Sequence, residues 1–333
     1  MSMIKRCILM TFLIIQAHSI CANSVANDSN ANILNLDQTK PYCIGRYVVD
    51  IPAEANPLER YDKYDSFTIS SQSKATRQDF DNALQRVRKE YSEYGWFITD
   101  DPKEQIVDGR LTKIIKGKKS KNEGHPFTVF GFVLDRNTLF LIEGMHSDTP
   151  QWTAESNEAL QNLVRNLRYR PEHEVPKEVG QCIYQGFIKD ETQRYRYSIQ
   201  THAFDFKNYP TVVLRFEAET NDEYVLPMIP RIEKKLKEVG QSQRQIDKGN
   251  IRKGEKQTSH LTGQEWISVE KMKGRDGISA LWEHTGSANN NQDPLISFEV
   301  DTGYDSPLTQ SSSLHQVDAI KLYESILKTI RKF

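Results

Sequence analysis

The chain has 333 residues, 37% of them hydrophobic and 27% charged, with a formal net charge of −1. A single hydrophobic core rarely grows past about 250–300 residues, so this length favours two domains. The near-neutral balance excludes the basic excess of a nucleic-acid binder, while 14 Phe, 14 Tyr and 4 Trp supply bulk for two modest cores.

Lys5 and Arg6, the apolar residues 7–15 (CILMTFLII) and the small residues of 19–22 (SICA) come in the order of a secretory signal peptide, expected over residues 1–22. The apolar run is shorter than the roughly 20 residues of a membrane span. No other run reaches that length, so the mature chain is expected to be periplasmic with no integral membrane span. Residues 23–40, rich in Asn, Ser, Asp and Ala, have little to bury and read as a disordered leader. Cleavage leaves Cys43 and Cys182, and two readings stay open. In an oxidising compartment they could pair; equally, each could be a separate buried thiol.

An N-terminal α+β domain is expected over residues 41–169. Residues 43–51 (CIGRYVVDI) read as a strand stopped by Pro52. Residues 66–71 alternate Phe67 and Ile69 with polar neighbours, a half-buried strand. Phe80, Leu84, Val87, Tyr91 and Tyr94 recur at helical spacing, with Thr76 and Asp79 as a cap and Gly95 as the stop. Strands follow at 105–116, 127–134 and 139–145, the last two joined by a turn at 135–138. Pro150 opens a second helix with Leu160, Leu163, Val164 and Leu167 on one face.

Residues 170–180 (RPEHEVPKEVG) read as a short, stiff, solvated linker. The C-terminal α+β domain, residues 181–333, contains strands at 195–201, 212–218, 264–272, 278–284 and 295–302, and a helix at 226–239. Residues 240–257 are highly polar and read as a loop or exposed hairpin. Ser313 and Gln316 have capping-box spacing ahead of a final helix. The fold class is therefore α+β: two domains, each an antiparallel-rich sheet with helices packed on one face, joined by a Pro-containing linker.

Sites of chemistry are scarce. The nucleophile-elbow, phosphate-loop and dinucleotide motifs are absent, and the eight histidines never fall in zinc-protease spacing. His260, His284 and His315 read as scattered rather than as a metal site. A hydrolase built from Ser259 or Ser268 with His260 meets the difficulty that adjacent strand residues point to opposite faces. Neither cofactor nor metal is expected, and the chain is not expected to be an enzyme. Lys116, Lys118, Lys119 and Lys121 cluster beside Gly117 and Gly124; the pattern suits a solvated hairpin tip, or a basic loop meeting an acidic partner. Residues 284–294, with His284, Ser287, Asn289 and Asn290, form a second polar loop suited to irregular turns and adaptable hydrogen bonding. Trp266 and Trp282 sit in alternating patterns and read as core.

Residues 43–52 (CIGRYVVDIP), 182–188 (CIYQGFI), 261–266 (LTGQEW), 293–303 (DPLISFEVDTG) and 312–331 (SSLHQVDAIKLYESILKTIR) together resemble, in this order, a family of type VI secretion immunity proteins. That family neutralises the fourth class of phospholipase (lipase) effectors. The resemblance covers about residues 41–333. It implies a periplasmic inhibitor without catalysis, two α+β domains gripping a cognate secreted phospholipase and blocking substrate access or lid movement. A monomer binding one effector is expected, with the loops Lys116–Gly124 and His284–Gln292 as candidate contacts. The alternative is an exported envelope protein that binds a small ligand in a cleft between its domains.

Overall fold

The computed structural model describes residues 34–119, 126–147, 149–191, 195–270, 272–303 and 311–333. The expected signal peptide and Lys121 lie outside these residues. Of the expected leader, Thr39 and Lys40 already belong to the first strand.

Two strands replace the single one expected over 43–51. β1 (Thr39–Ile44) and β2 (Tyr47–Pro52) pair antiparallel around Gly45 and Arg46. Gly45 has φ +59°, where a residue lacking Cβ is favoured, and an added Cβ would meet Ala218 Cβ at 3.0 Å. β3 (Ala55–Tyr64) follows, with no apolar alternation over its first half to announce it. β4 (Phe67–Ser73) leads to α1 (Arg77–Glu93), where Thr76 and Asp79 form the expected reciprocal cap. Phe80, Leu84, Val87 and Tyr91 are buried, but Tyr94 caps the helix end and is 68% exposed. β5 (Phe97–Asp100) precedes β6 (Gln105–Val107) and β7 (Arg110–Lys118). The latter two split the strand expected over 105–116 at Asp108 and Gly109, both with positive φ. β8 (Phe127–Asp135), β9 (Thr138–His146), α2 (Pro150–Asn166) and β10 (Leu167–Tyr169) complete this half.

The second half runs β11 (Gly180–Ile183), β12 (Gly186–Lys189), β13 (Ser198–Phe206), β14 (Val213–Glu219) and α3 (Met228–Glu238). The polar stretch 240–257 contains a one-turn helix, α4 (Gln243–Ile246), and a full edge strand, β15 (Asn250–Gln257). β16 (Thr262–Glu270), β17 (Gly277–His284), β18 (Leu295–Asp301), α5 (Gln316–Leu327) and β19 (Arg331–Lys332) follow. The capping box expected at Ser313 does not form. His315 is the N-cap of α5, and Ser313 Oγ instead lies 2.7 Å from Thr211 Oγ1.

Helices cover both faces of the sheet, not one. In the first half, alternate residues of β8 feed two cores. Val129 and Val133 pack with Leu160 and Leu163 of α2, while Phe130 and Phe132 pack with Phe80 and Tyr91 of α1. In the second half, Trp266 and Leu281 meet Met228 of α3. Phe298 stacks on Tyr323 of α5 at 5.8 Å, and Trp282 is fully buried.

Asn35–Phe333 forms one compact unit, in which the two expected halves are joined by shared strands as well as by residues 170–180. A single antiparallel sheet runs β15-β16-β17-β18-β14-β13-β3-β4-β9-β8-β7-β5, with β6 on β7. Its seam is β3 against β13, where strands of the two halves pair directly. Two smaller sheets, β1-β2-β19 and β10-β12-β11, also mix the halves. Cys43 and Cys182 are bonded, with Cα atoms 5.7 Å apart, and Gly45 exchanges backbone hydrogen bonds with Cys182. Residues 170–180 are largely exposed, yet they do not float. Buried Arg170 donates to the carbonyls of Pro171 (2.8 Å), Glu172 (3.0 Å) and Glu174 (2.7 Å), and reaches back to Gly186 O (3.3 Å).

Candidate interaction surface

The seam opens into a cleft. β3 pairs with β13 along its whole length but with β4 only at Asp62–Ile69, Lys63–Thr68 and Tyr64–Phe67. Beyond that, β4 continues along β9 to Ser73. The two strands part and enclose a space of about 550 Å³. A bulge at Leu58 sharpens the divergence, since Glu59 faces Ala203 and Pro57 faces Phe204 with Leu58 between them. Leu58 (54% exposed) and Tyr61 (40%) line the β3 side, Ser70 and Ser71 the β4 side.

One wall is built from Arg60 of β3, Glu172 of the joining segment and Tyr184 of the β11–β12 turn. The Arg60 guanidinium lies 3.3 Å from the Tyr184 ring centroid and is fixed by Glu172 at 2.5 Å. The Tyr184 N–H donates to Asp62 Oδ2 (2.9 Å), and Asp62 Oδ1 lies 3.4 Å from His202 Nε2. Ser71 Oγ donates to the Tyr184 carbonyl at 3.3 Å. Burial pushes the Tyr184 hydroxyl above its ordinary pKa, with Arg60 opposing, so the ring presents a neutral phenol. The wall is thus held by charge-assisted contacts from β3 and a neutral hydrogen bond from β4.

The lysine segment adjoins a second depression, of about 460 Å³, between α2 and β5–β7. Lys116 lies inside it against Asn157 Oδ1, and burial lowers its pKa despite nearby Asp100. Lys113 is buried in an ion pair with Asp101 at 2.5 Å. Lys118 and Lys119 lie over the rings of Phe127 (4.4 Å) and Trp96 (4.5 Å), with Lys119 exposed. His146, on β9 with β8 between it and β7, is buried edge-on to Phe67, and burial together with Lys116 lowers its pKa to about 4.

The 284–292 loop is tied to the rest of the chain by hydrogen bonds. His284 contacts Thr262 O (2.8 Å) and Asp293 Oδ1 (2.9 Å), and Ser287 donates to Asp293 Oδ2 (2.6 Å). Burial opposes ionisation of Asp293, but donation from Ser287 and His284 holds its carboxyl below the usual range. Asn289 donates through N and Nδ2 to Asn221 O and Asp222 O, and Asn290 Oδ1 accepts from Gln292 N. This loop and the lysine segment are not brought together. Seven strands lie between β17 and β7, a span on the order of 35–40 Å at strand spacing.

Among the described residues no group of three or more His, Cys, Asp or Glu is placed to hold a metal ion. No described helix is long and apolar enough to cross a membrane. The seam residues Leu58, Tyr61 and Tyr184 escape the sequence reading. The available signal is Tyr61 and Tyr64 alternating with charged residues, which marks a strand but not its position between the halves.

Residues 40–170 match the family described as Tle cognate immunity protein 4 N-terminal domain, and residues 174–332 its C-terminal domain. No curated relative matches the sequence. Among solved structures, immunity protein TplEi of the type VI secretion system from Pseudomonas aeruginosa, complexed with "L" peptide, is similar. It has a TM-score of 0.69 and 18% identity over 90% of this chain and 99% of that one. The apo form of TplEi gives 0.69 and 17%, with the same coverage. A chain of the Tle4–Tli4 complex gives 0.72 and 16%, covering 90% of this chain and 98% of that one. At these identities the likeness speaks to the fold.

Proposed function

The chain belongs to the Tle cognate immunity protein 4 family, and from that premise we propose that it binds and inhibits a cognate type VI phospholipase effector in the periplasm. Binding blocks substrate access or lid movement and protects the cell from its own or a sister cell's enzyme. The chain acts as a monomer holding one effector, without catalysis or cofactor. The observation that carries this reading is the match of both family domains in chain order, which accounts for nearly all of the described body. The interlocked halves support it. A surface that must not yield under a bound enzyme benefits from a continuous sheet, because a preorganised binder loses little entropy on association. An inhibitory interface of about 1,200–2,000 Å² has room on such a sheet.

The small-ligand alternative needs domains that close on a hinge. Here β3 and β13 pair along the seam, so closure would have to break that ladder. The test is a titration of the phospholipase encoded beside this gene with residues 23–333, alongside an unrelated phospholipase. Stoichiometric loss of activity in the cognate enzyme alone is expected. No binding and no inhibition at micromolar protein would sink the proposal.

A further inference from the structure

Resting on that reading, we propose that the opening between β3 and β4 receives a short extended segment of the phospholipase as an added β-strand. Most interior strands of a sheet are paired along both edges. Among the described strands, residues 55–61 of β3 pair only with β13, and residues 70–73 of β4 only with β9. Backbone N–H and C=O groups on these two facing edges are left for water or for another backbone. An extended polypeptide is the ligand chemistry that offers donors and acceptors at matching intervals, which is the basis of strand addition.

The side chains agree. Leu58 and Tyr61 are exposed apolar groups on one lip. Tyr184 stands against the cleft, held by Arg60 and Asp62. An inserted strand would set alternate side chains against them, so apolar residues at every second position are favoured. Pro57 and the bulge at Leu58 interrupt the β3 edge. Such interruptions guard against indiscriminate edge pairing. They limit the insert to about four residues of regular pairing along residues 70–73 and disfavour a second copy of this chain as the occupant.

Hydrogen exchange of the full mature chain, alone and with the phospholipase encoded beside its gene, tests the proposal. Amides in segments 55–61 and 69–73 are expected to slow by about tenfold or more in the complex. A complex that protects other surfaces and leaves these segments unchanged overturns the strand insertion while leaving the immunity reading intact. No complex at all overturns both. Concentration-dependent protection of the free chain would identify a second copy as the occupant and also overturn it. As a second readout, Leu58→Glu with Tyr61→Glu is expected to raise Kd about tenfold or more with the melting temperature unchanged. A Kd within twofold of the parent overturns the proposal.

Discussion

Arg46 Nη2 lies 2.8 Å from Asp190 Oδ2, two buried side chains joined across 144 residues of chain. Arg46 also donates to Gly180 O at 2.9 Å. Burial lowers the Arg46 pKa, with Asp190 opposing, so the charge is retained through its partner. Removing one member of a buried pair leaves the other insufficiently compensated. Arg46→Ala is expected to cost about 3–5 kcal/mol in urea unfolding, and Arg46→Met with Asp190→Leu clearly less. Equal losses for the single and double variants would show that the pair contributes by shape and not by charge.

The Cys43–Cys182 bond spans 139 residues of sequence. Chain-entropy reasoning places its contribution at about 4–5 kcal/mol, less any strain. Cys43→Ser with Cys182→Ser should therefore lower the guanidinium midpoint markedly, and adding reductant should then change nothing. A double variant as stable as the parent would mean that the ladders across the seam hold the halves without the bond.

His146 sets a pH dependence. Its folded pKa is lowered to about 4 from 6.5, so the unfolded chain binds more protons between these values. Its contribution is fully present above pH 6.5 and is lost as pH falls toward 4. At about 1.36 kcal/mol per unit, the loss has an upper bound of roughly 3–3.5 kcal/mol. His146→Leu should flatten the stability curve between pH 6.5 and 4 relative to the parent. Parallel curves would refute the assignment.

Lys118 and Lys119, at and just after the end of β7, lie over the rings of Phe127 and Trp96. If the effector reaches this end of the sheet, Lys118→Glu and Lys119→Glu should slow association severalfold at low salt and much less at 0.5 M salt. Asn290→Ala should change binding by less than about 1 kcal/mol, because that loop's polar groups are largely spent within the chain. Stopped-flow binding at two ionic strengths separates the two ends. A larger effect at Asn290 would move the epitope to the opposite edge.

Local pattern made α1 legible in the sequence, because Phe80, Leu84, Val87 and Tyr91 repeat at helical spacing behind a Thr76 cap. The β8–β9 hairpin was legible for the same kind of reason, with apolar strands flanking a polar turn. What stayed hidden was set by distant contacts. The 43–51 stretch reads as one strand unless Gly45 is seen pressed against Ala218. β3 carries few apolar residues because its first half is open on both faces, and its pairing depends on a partner some 140 residues away. A polar stretch gives no sign that it will hold two domains together. The candidate site was illegible because it is made by where two strands stop pairing, a property of register and not of residue type.

β19 closes the small sheet by pairing Arg331 with Val48, and Arg331 also meets Asp50 at 3.0 Å. The earliest described strands therefore wait for some of the last residues to be made. Such long-range pairing slows folding, since loop closure must precede the contacts that reward it. A nascent chain interrupted before residue 331 would carry β2 with an open flank, exposed to proteases and to other chains. For a protector that must be present before its enzyme arrives, the timing of synthesis becomes as consequential as affinity.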